Sequence, residues 1–116
     1  MPGRRKIYLA SPLGFTDAGS DYLNNVMIPL LENAGYIVIN PWSLTDNSLF
    51  EEVISITDYE TRVKKWSELN RIIGENNTEA IKESSGLLAY LNGYDVDSGT
   101  AAEIGFAAAL HKPIIG

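Results

Sequence analysis

The sequence of 116 residues has no cysteine, a single histidine and no long hydrophobic run. The lack of cysteine excludes disulfide bonds, thiolate metal sites and a cysteine nucleophile. One histidine, His111, makes a zinc site improbable, and we expect neither a metal nor a cofactor. No stretch approaches the ~18 apolar residues of a membrane span, and none is typical of a secretory signal, so we expect a cytoplasmic location.

Positive charge is also scarce. Nine Lys and Arg residues stand against 15 Asp and Glu residues, which gives a net charge of −6 and a pI of about 4.6. An acidic surface repels phosphate backbones and anionic lipids, so we expect neither nucleic acid nor a membrane as partner. The length suits a single domain over residues 1–116, and an apolar segment at residues 112–116 leads us to expect a further C-terminal strand or tail.

Short apolar strands alternate with helices along the chain. Strands are predicted at residues 6–11, 36–39 and 86–91, and a fourth begins within 112–116. The predicted helices cover residues 17–34, a short segment around Phe50, residues 58–84 and residues 100–110. This order predicts an α/β fold, a flavodoxin-like or Rossmann-like three-layer sandwich with a parallel sheet of four to five strands.

The two long predicted helices each carry an apolar stripe. In residues 17–34 its members are Leu23, Val26, Met27, Leu30 and Leu31. In residues 58–84 they are Val63, Trp66, Leu69, Ile73, Ala80 and Ile81. Pro29 conflicts with the first helix and predicts a kink, and Gly35 predicts its end.

The richest stretch for chemistry is residues 95–105, DVDSGTAAEIG, which follows the third strand and opens the last helix. Ligands of parallel sheets bind at the carboxyl ends of the strands, where this stretch should lie. We expect Glu103 in the first turn, where the helix dipole favours the ionised carboxylate that a double-displacement glycosyl transfer needs as its nucleophile. Gly99 should permit a tight turn and the close approach of a ligand.

The same stretch also has structural interpretations. The spacing of Thr100 and Glu103 fits a capping box, in which Thr100 caps the helix and Glu103 bonds back to the cap. Asp95 and Asp97 are residue types that favour turns through bonds to the local backbone. These alternatives stay open on the pattern alone.

Four further residues admit both a packing role and a ligand role. Tyr8 lies within the first strand, where its phenol is either a core group or reaches a carboxylate in the cleft. Phe15 and Trp42 follow strand ends and either pack or stack on a planar base. Asn77 lies on the apolar stripe of residues 58–84, where a buried amide must be satisfied by the protein or faces a ligand.

Taken together, these residues resemble the nucleoside 2-deoxyribosyltransferase family. The resemblance is carried by KIYLASPLGF at residues 6–15, DSGTAAEIGFAAAL at residues 97–110 and KPIIG at residues 112–116. It implies transfer of a 2-deoxyribosyl group between nucleobases through a covalent glutamyl–sugar intermediate. It also implies a 2'-deoxynucleoside and a free nucleobase as partners, a role in nucleotide salvage and a homo-oligomer.

The resemblance also implies roles for single residues. Glu103 matches the nucleophile, Tyr8 the tyrosine that holds and tunes it, and Asp97 the aspartate that binds the sugar 5'-hydroxyl. Asn77 falls where family members carry an aspartate near the base. An amide cannot donate an acid proton, so Asp95 or a water would have to protonate the leaving base.

The family includes hydrolases of deoxynucleoside 5'-monophosphates, and N-glycoside hydrolysis is therefore the alternative activity. Those enzymes tend to carry serine where this chain has Asp97, which would repel a phosphate and so favours a free nucleoside. Ser98 beside it leaves room for the other substrate. A non-catalytic nucleotide-sensing module on the same fold is a third interpretation.

Overall fold

The computed structural model describes residues 5–13, 16–91 and 98–116. Its strands are β1 (Lys6–Ala10), β2 (Ile37–Ile39), β3 (Gly86–Ala89) and β4 (Ile114–Ile115). They form one parallel sheet in the order β2-β1-β3-β4. The predicted α/β fold with a parallel sheet of at least four strands is confirmed. Three predicted site residues, Phe15, Asp95 and Asp97, lie outside the described residues.

Helices connect the strands. Before β2 lie α1 (Asp17–Tyr22), a π-helical segment (Leu23–Met27) and α2 (Ile28–Asn33). A 3₁₀ turn (Pro41–Ser43), α3 (Asn47–Ile54) and α4 (Tyr59–Glu83) lie between β2 and β3, and α5 (Ser98–Ala109) precedes β4. No helix within these described ranges is both long enough and apolar enough to cross a membrane.

The predicted helix over residues 17–34 exists, but Pro29 shapes it in an unexpected way. The widened π-helical turns come directly before Pro29, and the Ile28 N–H donates to the carbonyl of Leu23, five residues back. This makes Pro29 the second residue of α2, directly after the π-helical turns, and both features are common causes of helix bending. The predicted apolar stripe is buried at Leu23 but not at Val26 and Leu30, which are exposed. That part of the prediction is wrong because the π-helical turns break the 3.6-residue period.

Gly35 ends α2 as predicted. Its φ of +99° lies in the left-handed region that favours glycine. This conformation lets the Gly35 N–H donate to the Glu32 carbonyl at 3.0 Å and the Tyr36 N–H donate to the Leu31 carbonyl at 3.2 Å. The last turn is thereby satisfied before β2 begins.

α4 begins and ends where the sequence predicts. Oδ2 of Asp58 accepts bonds from the Thr61 hydroxyl at 2.6 Å and the Thr61 N–H at 3.0 Å, and these bonds lower the pKa of Asp58. The helix ends at Ser84. Leu69, Ala80 and Ile81 are buried. Val63, also predicted on the apolar face, is exposed because it lies near the first turn, beyond the edge of the core.

The hydrophobic core surrounds β1. Tyr8, Leu9 and Ala10 have no exposed surface, because β1 lies between β2 and β3 and is covered on both faces. A strand in this position needs an uninterrupted apolar sequence, which β1 has. The core is completed by side chains from β3, α4 and α5, namely Leu87, Ala89, Ala80, Ile81 and Ala107. The carboxyl end of β1 therefore emerges at the middle of the sheet edge.

The start of α5 differs from the prediction. The helix already includes Ser98, so Thr100 lies inside its first turn and is almost completely buried. The proposed capping box is therefore wrong, since Thr100 cannot cap a helix that begins before it. Gly99 is helical and does not form the predicted turn. Glu103 is the sixth residue of α5 and lies in the second turn, not the first.

Candidate active site

A cleft of about 450 Å³ opens where β1 and β2 end, which is where parallel sheets bind ligands. Its volume lies within the range of small-molecule sites. Its described lining consists of Ser11, Pro41, Trp42, Thr45, Phe50, Trp66, Asn70, Ile73, Asn77, Gly99 and Glu103. A second cavity of about 210 Å³, lined in part by Arg5 and Pro113, contains none of the predicted site residues.

Tyr8 and Glu103 meet at this cleft, although 95 positions separate them in the chain. The Tyr8 hydroxyl donates a hydrogen bond to Oε2 of Glu103. Tyr8 is fully buried in the central strand, so the phenol is fixed by the core. Glu103 is partly exposed and lines the cleft. A rigid donor thus holds one carboxylate oxygen and leaves the carboxylate facing the space where a ligand would lie.

Burial controls the charge of Glu103. Loss of water around the carboxyl group raises its pKa from 4.5 to about 7. The helix dipole, which was expected to favour the ionised carboxylate, acts weakly here because Glu103 lies in the second turn of α5, where that effect fades. The Tyr8 hydroxyl acts in the opposite direction, because a donated hydrogen bond favours the charged carboxylate. Both the protonated and the ionised form of Glu103 are therefore accessible near neutral pH.

Trp42 is held against the end of β1. Its indole Nε1–H donates to the carbonyl of Ser11 at 3.0 Å. Its backbone N–H donates to Oδ1 of Asn40 at 3.1 Å, which caps the 3₁₀ turn that Pro41 begins. The indole lines the cleft and stays 39% exposed. An aromatic ring fixed at both ends in this way offers a face to a planar ligand.

Asn77 presents an unsatisfied acceptor. Its side chain lines the cleft, and its Oδ1 is buried without a hydrogen-bond partner in the part of the chain that the structure describes. The interpretation as a satisfied structural amide therefore fails for this atom. An unpaired buried acceptor costs about 1–3 kcal/mol, which a donor on a bound ligand would recover.

The residue next to Asn77 supports the cleft wall. Nδ2 of Asn76 donates to the carbonyl of Leu44 at 3.3 Å and to the hydroxyl of Thr45 at 3.2 Å. These bonds join α4 to the segment between the 3₁₀ turn and α3, and Thr45 itself lines the cleft. Of the two adjacent asparagines, Asn76 therefore stabilises the cleft wall and Asn77 faces the cavity.

The structure brings only some of the predicted site residues together. Tyr8, Trp42, Asn77, Gly99 and Glu103 lie in or directly behind the cleft wall. Ser98 is exposed at the start of α5 and is not among the described lining residues. Asp95, Asp97 and Phe15 lie outside the described residues, and their roles stay predictions.

Several lining residues were not predicted. Phe50 and Trp66 meet edge to face, with ring centroids 6.3 Å apart and planes at 64°. Asn70 and Ile73 lie beside them on α4. The signal available in the sequence was that Asn70 and Asn77 interrupt the stripe of Trp66 and Ile73 at helical spacing, so the face that looks apolar is a cavity wall. Within the described ranges, no group of three or more His, Asp or Glu side chains could hold a metal ion.

A family model described as nucleoside 2-deoxyribosyltransferase matches residues 7–116. The chain belongs to the nucleoside 2-deoxyribosyltransferase family. The resemblance seen in the sequence is thereby confirmed. Comparison with curated protein sequences finds no significant match.

Solved structures similar to this family member agree with the assignment. A 2-deoxyribosyltransferase from Bacillus psychrosaccharolyticus is 25% identical, with a TM-score of 0.63 over 94% of this chain and 69% of its own. The 2-desoxiribosyltransferase from Leishmania mexicana is 24% identical, with a TM-score of 0.62 over 95% of this chain and 61% of its own. A CMP N-glycosidase from Clostridium botulinum is 22% identical, with a TM-score of 0.56 over 95% of this chain and 68% of its own.

The last two similarities concern the fold alone. This family member spans about three fifths of the length of the Leishmania protein. The structures with this fold include both a transferase and a glycosidase by name.

Proposed function

We propose that the protein transfers 2-deoxyribosyl groups between nucleobases, with Glu103 as the nucleophile. The observation that carries this proposal is the hydrogen bond from the buried Tyr8 hydroxyl to Oε2 of Glu103 at the cleft. It places a partly buried carboxylate, fixed by a rigid donor, in the one described cavity at the carboxyl ends of the strands. Family membership over residues 7–116 supports the same chemistry.

The reaction has two balanced steps. In the first, a carboxylate oxygen of Glu103 bonds to C1' of the sugar while the C1'–N bond breaks, and the electron pair leaves with the base, which takes up a proton. In the second, a nitrogen of an incoming base bonds to C1', the ester bond breaks, and Glu103 regains its charge as the base nitrogen loses its proton. Both steps pass through a positively charged sugar that an adjacent carboxylate stabilises, and two inversions give net retention.

Other side chains suit the substrate. The fixed indole of Trp42 lies where a base could stack, and Oδ1 of Asn77 needs a donor that the base could supply. We propose that Asp97 binds the 5'-hydroxyl. Because Asn77 cannot supply the proton that the leaving base needs, we assign that proton to Asp95 or a water.

Hydrolysis is the competing outcome of the same intermediate. Glu103 remains partly exposed, so water can approach the C1' carbon that the glutamate would carry. Attack by water in the second step would make the protein an N-glycosidase of deoxynucleosides or their 5'-monophosphates. The balance between the two outcomes depends on how well a second base displaces water from the cleft.

The test is a product assay with deoxyinosine, with and without free adenine. Transfer predicts deoxyadenosine only when adenine is present, whereas hydrolysis predicts hypoxanthine at the same rate in both reactions. Glu103→Gln should abolish both products, and the matched variant Glu51→Gln, at an exposed glutamate of α3, should keep them. A sugar adduct on Glu103 in mass spectra of the quenched reaction is expected. Cleavage that persists in Glu103→Gln would refute the proposed nucleophile, and ligand binding without turnover would identify a sensing module.

A further inference from the structure

The cleft continues along α4 well beyond Glu103. Trp66, Asn70, Ile73 and Asn77 all line it, and their spacing places them on one face of the helix. Trp66 and Asn77 are 11 positions apart. At a rise of 1.5 Å per residue the stripe is about 16 Å long.

This length exceeds what a nucleobase needs. With covalent bonds of about 1.3–1.5 Å, the two fused rings of a purine span less than about half of the stripe. A base anchored beside Glu103 and Asn77 would therefore leave the far part of the cleft unfilled. The far part begins at Asn70 and ends at the edge-to-face pair of Phe50 and Trp66.

The chemistry of the far end is aromatic and uncharged. Glu103 is the one charged side chain among the described residues that line the cleft. Its partner Tyr8 packs in the core with Ala80 and Ile81, so Glu103 lies toward the C-terminal end of α4 and away from Trp66. Phe50 and Trp66 are each partly exposed, so they leave aromatic surface facing the cavity. Covering this aromatic surface with an apolar group lowers the free energy of the complex. A phosphate group would find no positively charged partner there.

We propose that Phe50 and Trp66 form a second subsite that receives a bulky apolar substituent carried by the nucleobase. The proposal deepens the proposed function, because it takes the base to be anchored between Glu103 and Asn77. Asn77 marks the border between the two parts, since its unpaired Oδ1 can accept from the amino group through which such a substituent is attached. The preferred substrate class is then a deoxynucleoside whose base bears an N-linked aromatic or aliphatic group.

The test compares matched substrates that differ by one benzyl group. The pairs are 2'-deoxyadenosine with its N6-benzyl derivative and 2'-deoxycytidine with its N4-benzyl derivative, and the pair whose parent is cleaved faster is used. The wild-type protein should prefer the benzyl compound in kcat/KM by about 10-fold or more, the usual discrimination from an apolar pocket. Asn70→Trp, which fills the far part, should bring that ratio to about one.

Two further variants test whether a change in the ratio could come from misfolding of Asn70→Trp. Phe50→Leu, which removes one aromatic wall by a conservative change, should lower the ratio several-fold. Tyr59→Ala, at an exposed position in the first turn of α4 outside the cleft, should leave the ratio unchanged. Equal or poorer cleavage of the benzyl compound by the wild type, or a ratio unaffected by both cleft variants, would overturn the subsite.

Binding separates this proposal from the proposed function. Titration of the Glu103→Gln variant with adenine and N6-benzyladenine, and with cytosine and N4-benzylcytosine, reports affinity without turnover. If no deoxynucleoside is cleaved but the benzyl bases bind about 10-fold more tightly, the proposed reaction fails and the subsite stands. If cleavage occurs without any benzyl preference in rate or affinity, the reaction stands and the subsite fails.

Discussion

Replacing Glu103 by Gln should make the protein more stable at alkaline pH while removing the proposed activity. In the folded protein the pKa of Glu103 is about 7, because burial disfavours the charged carboxylate. The ordinary value of 4.5 applies when the chain unfolds and water returns. The folded state therefore holds this proton more tightly than the unfolded state does. Its contribution to stability is fully present below about pH 4.5 and is lost as the pH rises through about 7.

The magnitude follows from the two pKa values. At 1.36 kcal/mol per pKa unit, the difference between 4.5 and about 7 corresponds to roughly 3 kcal/mol at pH 8. Because the carboxyl group faces an open cleft, solvent screening reduces this to about 1–2 kcal/mol. Gln keeps an acceptor for the Tyr8 hydroxyl and carries no charge, so Glu103→Gln should recover that amount at pH 8 and nothing at pH 4.

Urea denaturation at pH 4, 6 and 8 measures the effect. With m of about 2 kcal/mol/M, the midpoint of Glu103→Gln should rise at pH 8 by about 0.5–1 M at unchanged m. Glu51→Gln, which removes one charge from an exposed site, controls for the relief of the net charge of −6. A Glu103→Gln variant that is no more stable than wild type at pH 8, or equally more stable at every pH, would refute the burial argument.

Three other changes test separate parts of the structure. Tyr8→Phe removes the donor to Glu103, which raises the pKa of that carboxyl further, so the acidic limb of the pH profile of kcat/KM should move upward from about pH 7; an unmoved limb would contradict the role of this bond. Asn77→Leu removes an unpaired buried acceptor, so the free energy of unfolding should rise by about 1 kcal/mol. The KM for the deoxynucleoside should rise about 10-fold. A loss of stability would show that Oδ1 is paired in solution. Gly35→Ala adds a methyl group at a residue with φ +99°, where the new Cβ would contact no other atom. Urea denaturation should therefore show a decrease of about 1 kcal/mol in the free energy of unfolding from backbone strain alone, with activity retained.

Local signals in the sequence were enough to predict much of the fold. α4 begins after Asp58 and ends at Ser84, as predicted. Both ends have local signals in the sequence, namely a capping carboxylate at the start and a strand that begins with glycine just after the end. Gly35 ends α2 for a similarly local reason. The start of α5 was predicted two residues late, because a capping box at Thr100 and a helix that already includes Ser98 share the same pattern of residue types.

The candidate site was less accessible from the sequence, because its properties depend on contacts between distant elements. That Tyr8 and Glu103 lie together requires the register of β1 and the position of α5, and the raised pKa of Glu103 follows from burial that no local pattern reports. The aromatic wall was missed because Trp66 at helical spacing looks like a core residue. It lines a cavity since Phe50, from another helix, meets it edge to face and leaves the space beside it open.

The length of chain between Tyr8 and Glu103 has a consequence for synthesis. A parallel sheet forms no pairs between adjacent hairpin strands, and β1 must wait for residues 86–89 before its second neighbour exists. Tyr8 and Glu103 meet only when α5 packs against β1 and β3, which requires nearly the whole described chain. We therefore expect a nascent chain to lack this paired site until α5 has emerged and packed, and products truncated before α5 to lack the proposed activity.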